Sequence, residues 1–443
     1  MGRRNGYGAV VSMAVFFALL ISLLFPADGE AAKRVVRGRV GGSSSGRTQS
    51  KTQPVFAGGA GTQKSPYVIR TATQLVSFAK QVNNGNTFAG KYVKLGSDID
   101  LAQVGWVPIG FFDKNGTRPF KGVFDGAGFT IWNLRAGNAQ RSAVGLFGAI
   151  EGATLARVSL QYVEIVGNGN IGAVVGFMKN SAVRDCTVFG NVEGSSSVGG
   201  IVGSALAGMI EKCTFSGNIK ADAAGVGGII GTMDQTAIRT CSVTGGVEGN
   251  GDVGGIAGGI LAGDLMNCTA DRLTVEGDRN VGGLVGNVID KGNASRSRFS
   301  GQISGGSAVG GAIGRLMAGT FSECAVSGSV QGREDVGGIA GELLDGNVRN
   351  CNSEAMVTGS TNVGGIVGSL SGSGGEVARS NNGGTVKGGE AVGGIVGYLD
   401  RGTLSGSRNK GTVIGVYHMG DLVGIEGNGS VSDSGSYGKL IQR

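Results

Sequence analysis

From residue 144 onward the apolar positions recur with a fixed long period. The motif Val144-Gly-Leu-Phe-Gly148 returns as Ile171-Gly-Ala-Val-Val-Gly176. It returns again at Val198, Val226, Val253, Val281, Val309, Val336, Val363 and Val392, each followed by Gly-Gly, and in degenerate form at Met419-Gly-Asp-Leu-Val-Gly424. The ten spacings all lie between 27 and 29 residues. A period of that size marks stacked supersecondary units. Within one unit the apolar residues Ile201, Leu206, Ile210, Phe215 and Ile219 are separated by glycine, serine and charge. No ten-residue stretch offers a helical stripe free of glycine, and an interior glycine costs a helix about 1 kcal/mol. Short strands and turns fit better. Each unit then forms one coil of a parallel β-helix, rising about 4.8 Å per coil. About eleven coils make a rod of about 50 Å, right-handed by the usual crossover rule.

Stacking requires that one slot hold similar residues in every coil. The fourth slot reads Phe147, Val174, Ile201, Ile229, Ile256, Leu284, Ala312, Ile339, Ile366 and Ile395. The eighth reads Ile150, Met178, Ala205, Met233, Ile260, Val288, Leu316, Leu343, Leu370 and Leu399. A later slot runs Ile165, Val192, Ile219, Val247, Val275, Ile303, Val330, Val357, Val386 and Val413. These are the expected core rungs. Burial of their apolar surface, at about 25 cal/mol per Å², is the main favourable term. The repeat glycines, Gly199, Gly200 and Gly203 in one coil and Gly227, Gly228 and Gly231 in the next, are expected to be structural.

Ahead of the repeats, Thr71-Ala-Thr-Gln74 reads as a capping box. Leu75, Phe78, Ala79 and Val82 follow at helical spacing, and Asn83-Asn84-Gly85-Asn86 ends the helix. Strand-like pieces come next: Tyr92 to Leu95, Ile99 to Leu101, Val107 to Ile109 and Phe120 to Phe124. A solenoid's first coil exposes backbone groups and apolar rungs that need covering. Residues 58–143 are therefore expected to form an N-terminal cap containing one short helix, and 144–443 the solenoid.

The six cysteines, Cys186, Cys213, Cys241, Cys268, Cys324 and Cys351, share one slot. Serine takes that slot elsewhere, at Ser159, Ser297, Ser380, Ser407 and Ser434. The slot wants a small side chain and does not demand redox chemistry. An even count in an exported protein invites disulfides. Stacked Cβ atoms, however, point in parallel about 4.8 Å apart, where a disulfide needs about 3.8 Å. Buried free thiols are the expectation. Without a CxxC pair or accompanying histidine, a metal site is not expected.

Composition changes the picture in two ways. Ninety of 443 residues are glycine and only five are proline, which excludes collagen, while 40% apolar content excludes a disordered glycine-rich tail. The charge of +7 is unevenly placed. Residues 1–31 balance Arg3 and Arg4 against Asp28 and Glu30. Residues 32–57 carry Lys33, Arg34, Arg37, Arg39, Arg47 and Lys51 without an acid. The remaining body is nearly neutral, which argues against a nucleic-acid partner. Arg3 and Arg4, the apolar run Ala9 to Phe25 and the small residues Ala27, Gly29, Ala31 and Ala32 read as a signal peptide. Cleavage is expected between Gly29 and Ala32, rather than retention as an anchor. Residues 32–57 read as a flexible basic linker with too few apolar residues to order; its charge would also suit anionic envelope polymers.

Val198-Gly-Gly-Ile-Val-Gly203 followed by Ile210-Glu-Lys-Cys-Thr-Phe-Ser-Gly-Asn-Ile219 resembles the GLUG repeat of bacterial surface and secreted proteins. Gly90-Lys-Tyr, Asp98-Ile-Asp-Leu101, Trp106-Val-Pro-Ile-Gly110 and Phe124-Asp-Gly-Ala-Gly-Phe-Thr-Ile131 resemble the lead-in of such proteins. The resemblance covers about residues 58–443. It implies an extracellular β-solenoid, often adhesin-like, and no catalytic residues. Some proteins with this repeat carry a zinc peptidase domain; here there is no His-Glu-x-x-His motif and one histidine, His418.

The candidate chemistry is thin. Glu193, Lys220, Glu248 and Glu276 form an outward slot, but the interleaved lysine marks a solvated charge ladder. Asp252, Asn280, Asp335 and Asn362 precede the Val-Gly-Gly motif. Calcium ligation is conceivable there, although Asx-turn capping is the commoner role. Phe177 and Tyr398 are expected to point outward as isolated rings. The expectation is an exported β-solenoid binding protein, secreted or on the cell surface, adhesin-like, with no catalysis and no cofactor. Its partner is an unidentified extracellular protein or polysaccharide. No transmembrane span is expected in the mature chain. Lys439 and Arg443 near the last coil suggest an edge guarded by charge and a monomer. The alternatives are a structural stalk without a ligand and a carbohydrate-active β-helix enzyme.

Overall fold

The structure, a computed structural model, describes residues 55–113 and 116–443. The expected signal peptide and all but the last three residues of the linker lie outside them. Every named face of the solenoid is a ladder of parallel strands. A long face runs from Tyr67–Ile69 through Tyr92–Leu95, Val123–Asp125 and Thr154–Ala156 into strands such as Val175–Arg184 and Val202–Glu211, ending at Ser430–Ser432. A second face includes Ser159–Val166, Thr187–Gly194 and Thr214–Ala221. A short face of ten strands includes Ser196–Gly199, Ala224–Gly227 and Gly251–Gly254. Register holds from coil to coil: Ile165 opposes Val192, Val192 opposes Ile219, and Val386 opposes Val413.

The stack has about 14 turns, more than the eleven expected. The repeat motif dates only the coils after Val144. The segment before it already pairs in parallel, with Tyr67 opposite Val93 and Val93 opposite Phe124. Three further turns therefore precede the motif.

Two rungs in the first motif-bearing coil shift by one residue. Phe147 pairs with Val175, the fifth slot, because Val144-Gly-Leu-Phe-Gly is one residue shorter than its successors while Val144 still opposes Ile171. Ser159 pairs with Thr187, so Val158, and not Ser159, stands in the cysteine slot.

Helix α1, Ala72–Asn83, forms where the capping pattern placed it. Thr71 Oγ1 accepts from the Gln74 N–H at 3.2 Å, and Gln74 Oε1 accepts from the Arg70 N–H at 2.8 Å. Its buried face, Leu75, Phe78, Ala79 and Val82, lies over the first turns. Phe78 meets Phe88, Phe120 and Phe124 at ring-centroid distances of 5.0, 5.7 and 6.2 Å. This aromatic plug closes the N-terminal end of a core that continues from Ile69 to Val413.

The motif glycines are explained by backbone packed on backbone. At Gly199 and Gly203 the short and long faces lie backbone on backbone, while Gly200 also meets the core ring of Phe215. A Cβ at Gly199 would sit 2.0 Å from the Val202 carbonyl oxygen, at Gly200 2.4 Å from that of Gly228, and at Gly203 2.3 Å from the Asn170 carbonyl carbon. The next coil repeats this: Gly227 2.2 Å from Ile230 O, Gly228 2.2 Å from Gly255 O and Gly231 2.4 Å from Ser197 C. No real Cβ approaches that closely, so any larger residue must spread the coils.

Candidate binding face

Two corners of the coil are turned by residues in left-handed conformation, and their identities set the polar slots. The residue before the repeat motif is Asn170, Asp252, Asn280, Asp335, Asn362 or His418 in six coils and Ala143, Ser197, Ala308 or Ala391 in four others, all with φ between 49° and 56°. Asn and Asp tolerate that conformation better than other side chains. They also bond along the stack: Asn280 Nδ2 donates to Asp252 Oδ1 at 2.7 Å, and Asn362 Nδ2 to Asp335 Oδ1 at 2.8 Å. Asp252 is almost wholly buried, and burial raises its pKa. Burial, with Glu342 and Glu334 nearby, raises Asp335 to about 6, against the opposing Asn362 hydrogen bond and Arg315 charge. His418 occupies the same corner in an exposed coil, with Nδ1 3.7 Å from Glu390 Oε1.

The second corner immediately precedes the cysteine slot. Asp185, Lys212, Thr240, Asn267, Arg296, Glu323 and Asn350 hold φ between 50° and 56° there. The turn leaves the carbonyl two residues before the slot facing inward. Cys186, Cys213, Cys241, Cys268, Cys324 and Cys351 donate to that carbonyl at 3.2–3.4 Å, and Ser297, Ser380 and Ser407 do so at 2.9–3.1 Å. The same atom accepts an N–H from the preceding coil: Cys213 N–H to Cys241 Sγ, Cys351 N–H to Ser380 Oγ, Ser380 N–H to Ser407 Oγ. The slot thus needs one donor, one acceptor and little volume, which cysteine and serine share. All six thiols are free and buried. Hydrogen bonding to Cys186, then burial, raises Cys213; Cys241 and burial do the same to Cys268.

A buried asparagine ladder was not evident from the apolar pattern. Asn382 and Asn409 fill the core position that Phe215 and Phe299 fill earlier. Asn382 Nδ2 donates to Asn409 Oδ1 at 3.0 Å, and their Oδ1 atoms accept from the Gly384 and Gly411 N–H groups.

The outward side of the second face carries three rows. The charge row places Glu193 opposite Lys220, Lys220 opposite Glu248 and Glu248 opposite Glu276. Lys220 and Glu248 pair at 2.9 Å. Beside this row lies an open depression of about 510 Å³ lined by Glu248, Glu276, Asp278, Ser304 and Arg333. The middle row is Arg135, Glu164, Asn191 and Asn218. Arg135 bonds Glu164 at 3.0 Å, and Asn218 Nδ2 reaches Asn191 Oδ1 at 3.4 Å.

The third row is aromatic. Trp132 and Phe189 both oppose Gln161. Tyr162 is the extra residue of a β-bulge, at φ 56°, and its ring lies between theirs. The ring centroids are 5.9 Å from Trp132 to Tyr162 and 5.6 Å from Tyr162 to Phe189. Tyr162 is 59% exposed and Phe189 42%. By contrast, Phe177 is half-buried and stacked at 4.6 Å on Phe112 of the hairpin Phe111–Asp113 and Gly116–Arg118, and Tyr398 is half-buried.

Among the described residues no three His, Cys, Asp or Glu side chains group to hold a metal, and no helix is long and apolar enough to cross a membrane.

Residues 194–220 match the family described as the GLUG motif. The chain is 31% identical over 145 residues to halomucin of Haloquadratum walsbyi, covering 30% of this chain and 2% of that protein. It is 34% identical over 132 residues to a Gly-rich membrane protein of Evansella cellulosilytica, covering 28% of this chain and 14% of that one. The chain therefore spans a small part of these relatives. Among solved structures it is similar to one from Bacteroides ovatus described as an immunoglobulin A1 protease, at TM-score 0.41 and 20% identity over 68% of this chain and 78% of that one. It is also similar to the A-module of the mannuronan C-5 epimerase AlgE6 of Azotobacter vinelandii, at TM-score 0.26 and 13% identity over 82% and 95%. Those activities belong to those proteins. The chain is thus a β-solenoid that carries the GLUG motif at residues 194–220, with the slots of that motif kept in register along the stack.

Proposed function

We propose that the chain is an exported binding protein, secreted or held at the cell surface, that engages its partner through the outward rows of the solenoid and catalyses no reaction. The observation that carries this reading is the aromatic row of half-buried Trp132 and exposed Tyr162 and Phe189, set beside a row of hydrogen-bonding side chains on a rigid face. Large exposed rings are costly to solubility unless something covers them, and a rigid scaffold holds them preorganised for contact. The leader-like N-terminus and the name of one relative, a Gly-rich membrane protein, support the same location. Expression of the full chain followed by cell fractionation, surface proteolysis of intact cells and N-terminal sequencing tests the reading. The expected result is an extracellular or surface-exposed form beginning between Gly29 and Ala32. A cytoplasmic, uncleaved chain would overturn it.

A further inference from the structure

We propose that Trp132, Tyr162 and Phe189 form a carbohydrate-binding strip that takes an extended, uncharged polysaccharide strand laid along the solenoid axis. This rests on the binding reading above and names its ligand class.

The first argument is strain. Tyr162 holds φ 56°, a left-handed conformation that sterically disfavours an ordinary L-residue. The equivalent bulge residue one turn earlier is Asn133, at φ 57°, tied by its Nδ2 to Asp100 Oδ1 at 2.8 Å. The next turn omits the extra residue and uses Gly190 instead. A later coil has the bulge again with Arg272, at φ 47°. The fold thus accepts Asn, Arg or a deletion at this place, and neither the core nor the turn asks for a tyrosine. Bulges commonly re-aim a side chain. This one delivers a ring to the gap between Trp132 and Phe189.

The second argument is chemistry. The strip is one ring wide and three rungs long, so it suits a narrow, repeating ligand better than a broad apolar protein surface. Alongside it run Glu164, Asn191 and Asn218, with amide and carboxylate groups exposed. A pyranose chain presents apolar C–H faces to rings and hydroxyls to such groups. Charge decides among polymers. Glu164 is neutralised by Arg135 and Glu248 by Lys220. Among the described residues no cationic groove runs beside the strip for a polyanion, which single-stranded nucleic acid would require in addition to the rings.

The test uses the full exported chain, its Tyr162→Asn variant, and Tyr417→Ala as a control at an exposed ring far from the strip. Each is offered cellulose, chitin, a β-1,3-glucan and a panel of extracellular-matrix proteins. Soluble cellohexaose, chitohexaose and laminarihexaose are titrated against tryptophan fluorescence. Only Trp132 should respond, since Trp106 is buried. The expected result is retention on at least one polysaccharide, an oligosaccharide-dependent fluorescence change, and an affinity about ten-fold weaker in Tyr162→Asn. The melting temperature should be unchanged or higher, and Tyr417→Ala should bind normally. Polysaccharide binding that survives Tyr162→Asn overturns the strip, as does retention on matrix proteins alone; both leave the broader binding reading standing. Retention on nothing overturns both.

Discussion

The backbone N–H of Cys268 donates to the hydroxyl of Ser297 in the next coil at 3.0 Å, and that hydroxyl donates in turn to the Ser295 carbonyl at 2.9 Å. One small side chain therefore closes two hydrogen bonds at a buried corner. Ser297→Ala removes both and strands the Cys268 N–H. It is expected to cost about 1–3 kcal/mol, while Ser297→Cys, which restores the neighbouring coils' own solution, is expected to cost less than about 1 kcal/mol. Urea unfolding of the two variants makes the comparison. Equal losses would mean that volume, and not hydrogen bonding, sets the slot.

The thiols give a second expectation. All six are buried; the shifts at Cys213 and Cys268 favour the protonated form, and at Cys324, which the hydrogen bond with Cys351 lowers, burial alone carries the expectation. The thiolate is the reactive species. Alkylation at neutral pH should leave the native chain unlabelled and add six adducts in denaturant, counted by mass spectrometry. Fewer than six in denaturant without reductant would reveal disulfides.

Gly258 and Gly259 are adjacent and face different surroundings. A Cβ at Gly258 would lie 2.2 Å from the Val226 backbone nitrogen, whereas at Gly259 it would meet the Thr232 methyl at 3.6 Å. Gly258→Ala is expected to lose about 1–3 kcal/mol through overpacking. Gly259→Ala should be neutral or stabilising by about 0.5 kcal/mol, since it restricts only the unfolded chain. Thermal melts of the pair decide this.

Asp335 sets a pH dependence. Its folded-state pKa is about 6, above the ordinary value of about 3.9. Between those values the unfolded chain loses its proton first while the native state retains it. Stability therefore falls as pH rises from about 4 to about 6 and is flat above. Asp335→Asn should abolish that slope and add about 2 kcal/mol at pH 7, because Asn already serves this corner at Asn280 and Asn362. A variant with an unchanged slope would place the titration elsewhere, with Asp252 the next group to replace.

The rungs Ile165 to Val413 and helix α1 were legible in the sequence because period and burial coincide there. The alignment slipped where a coil changes length, at Phe147 and Ser159, since a one-residue difference moves a side chain to another slot. The early turns at Tyr67, Tyr92 and Val123 escaped because they stack without repeating the glycine motif. The aromatic row was hidden by its bulge: repeat spacing aligns Gln161 with Trp132 and Phe189, and only backbone geometry brings Tyr162 between them. The core asparagines Asn382 and Asn409 were missed because their slot is otherwise apolar.

The most direct measurement of the central claim is retention of the exported chain on an array of polysaccharides and extracellular-matrix proteins, scored at moderate salt for both binding and cleavage. The account predicts saturable retention with every immobilised polymer left intact. Cleavage of a polymer, or no retention on any surface, would contradict it.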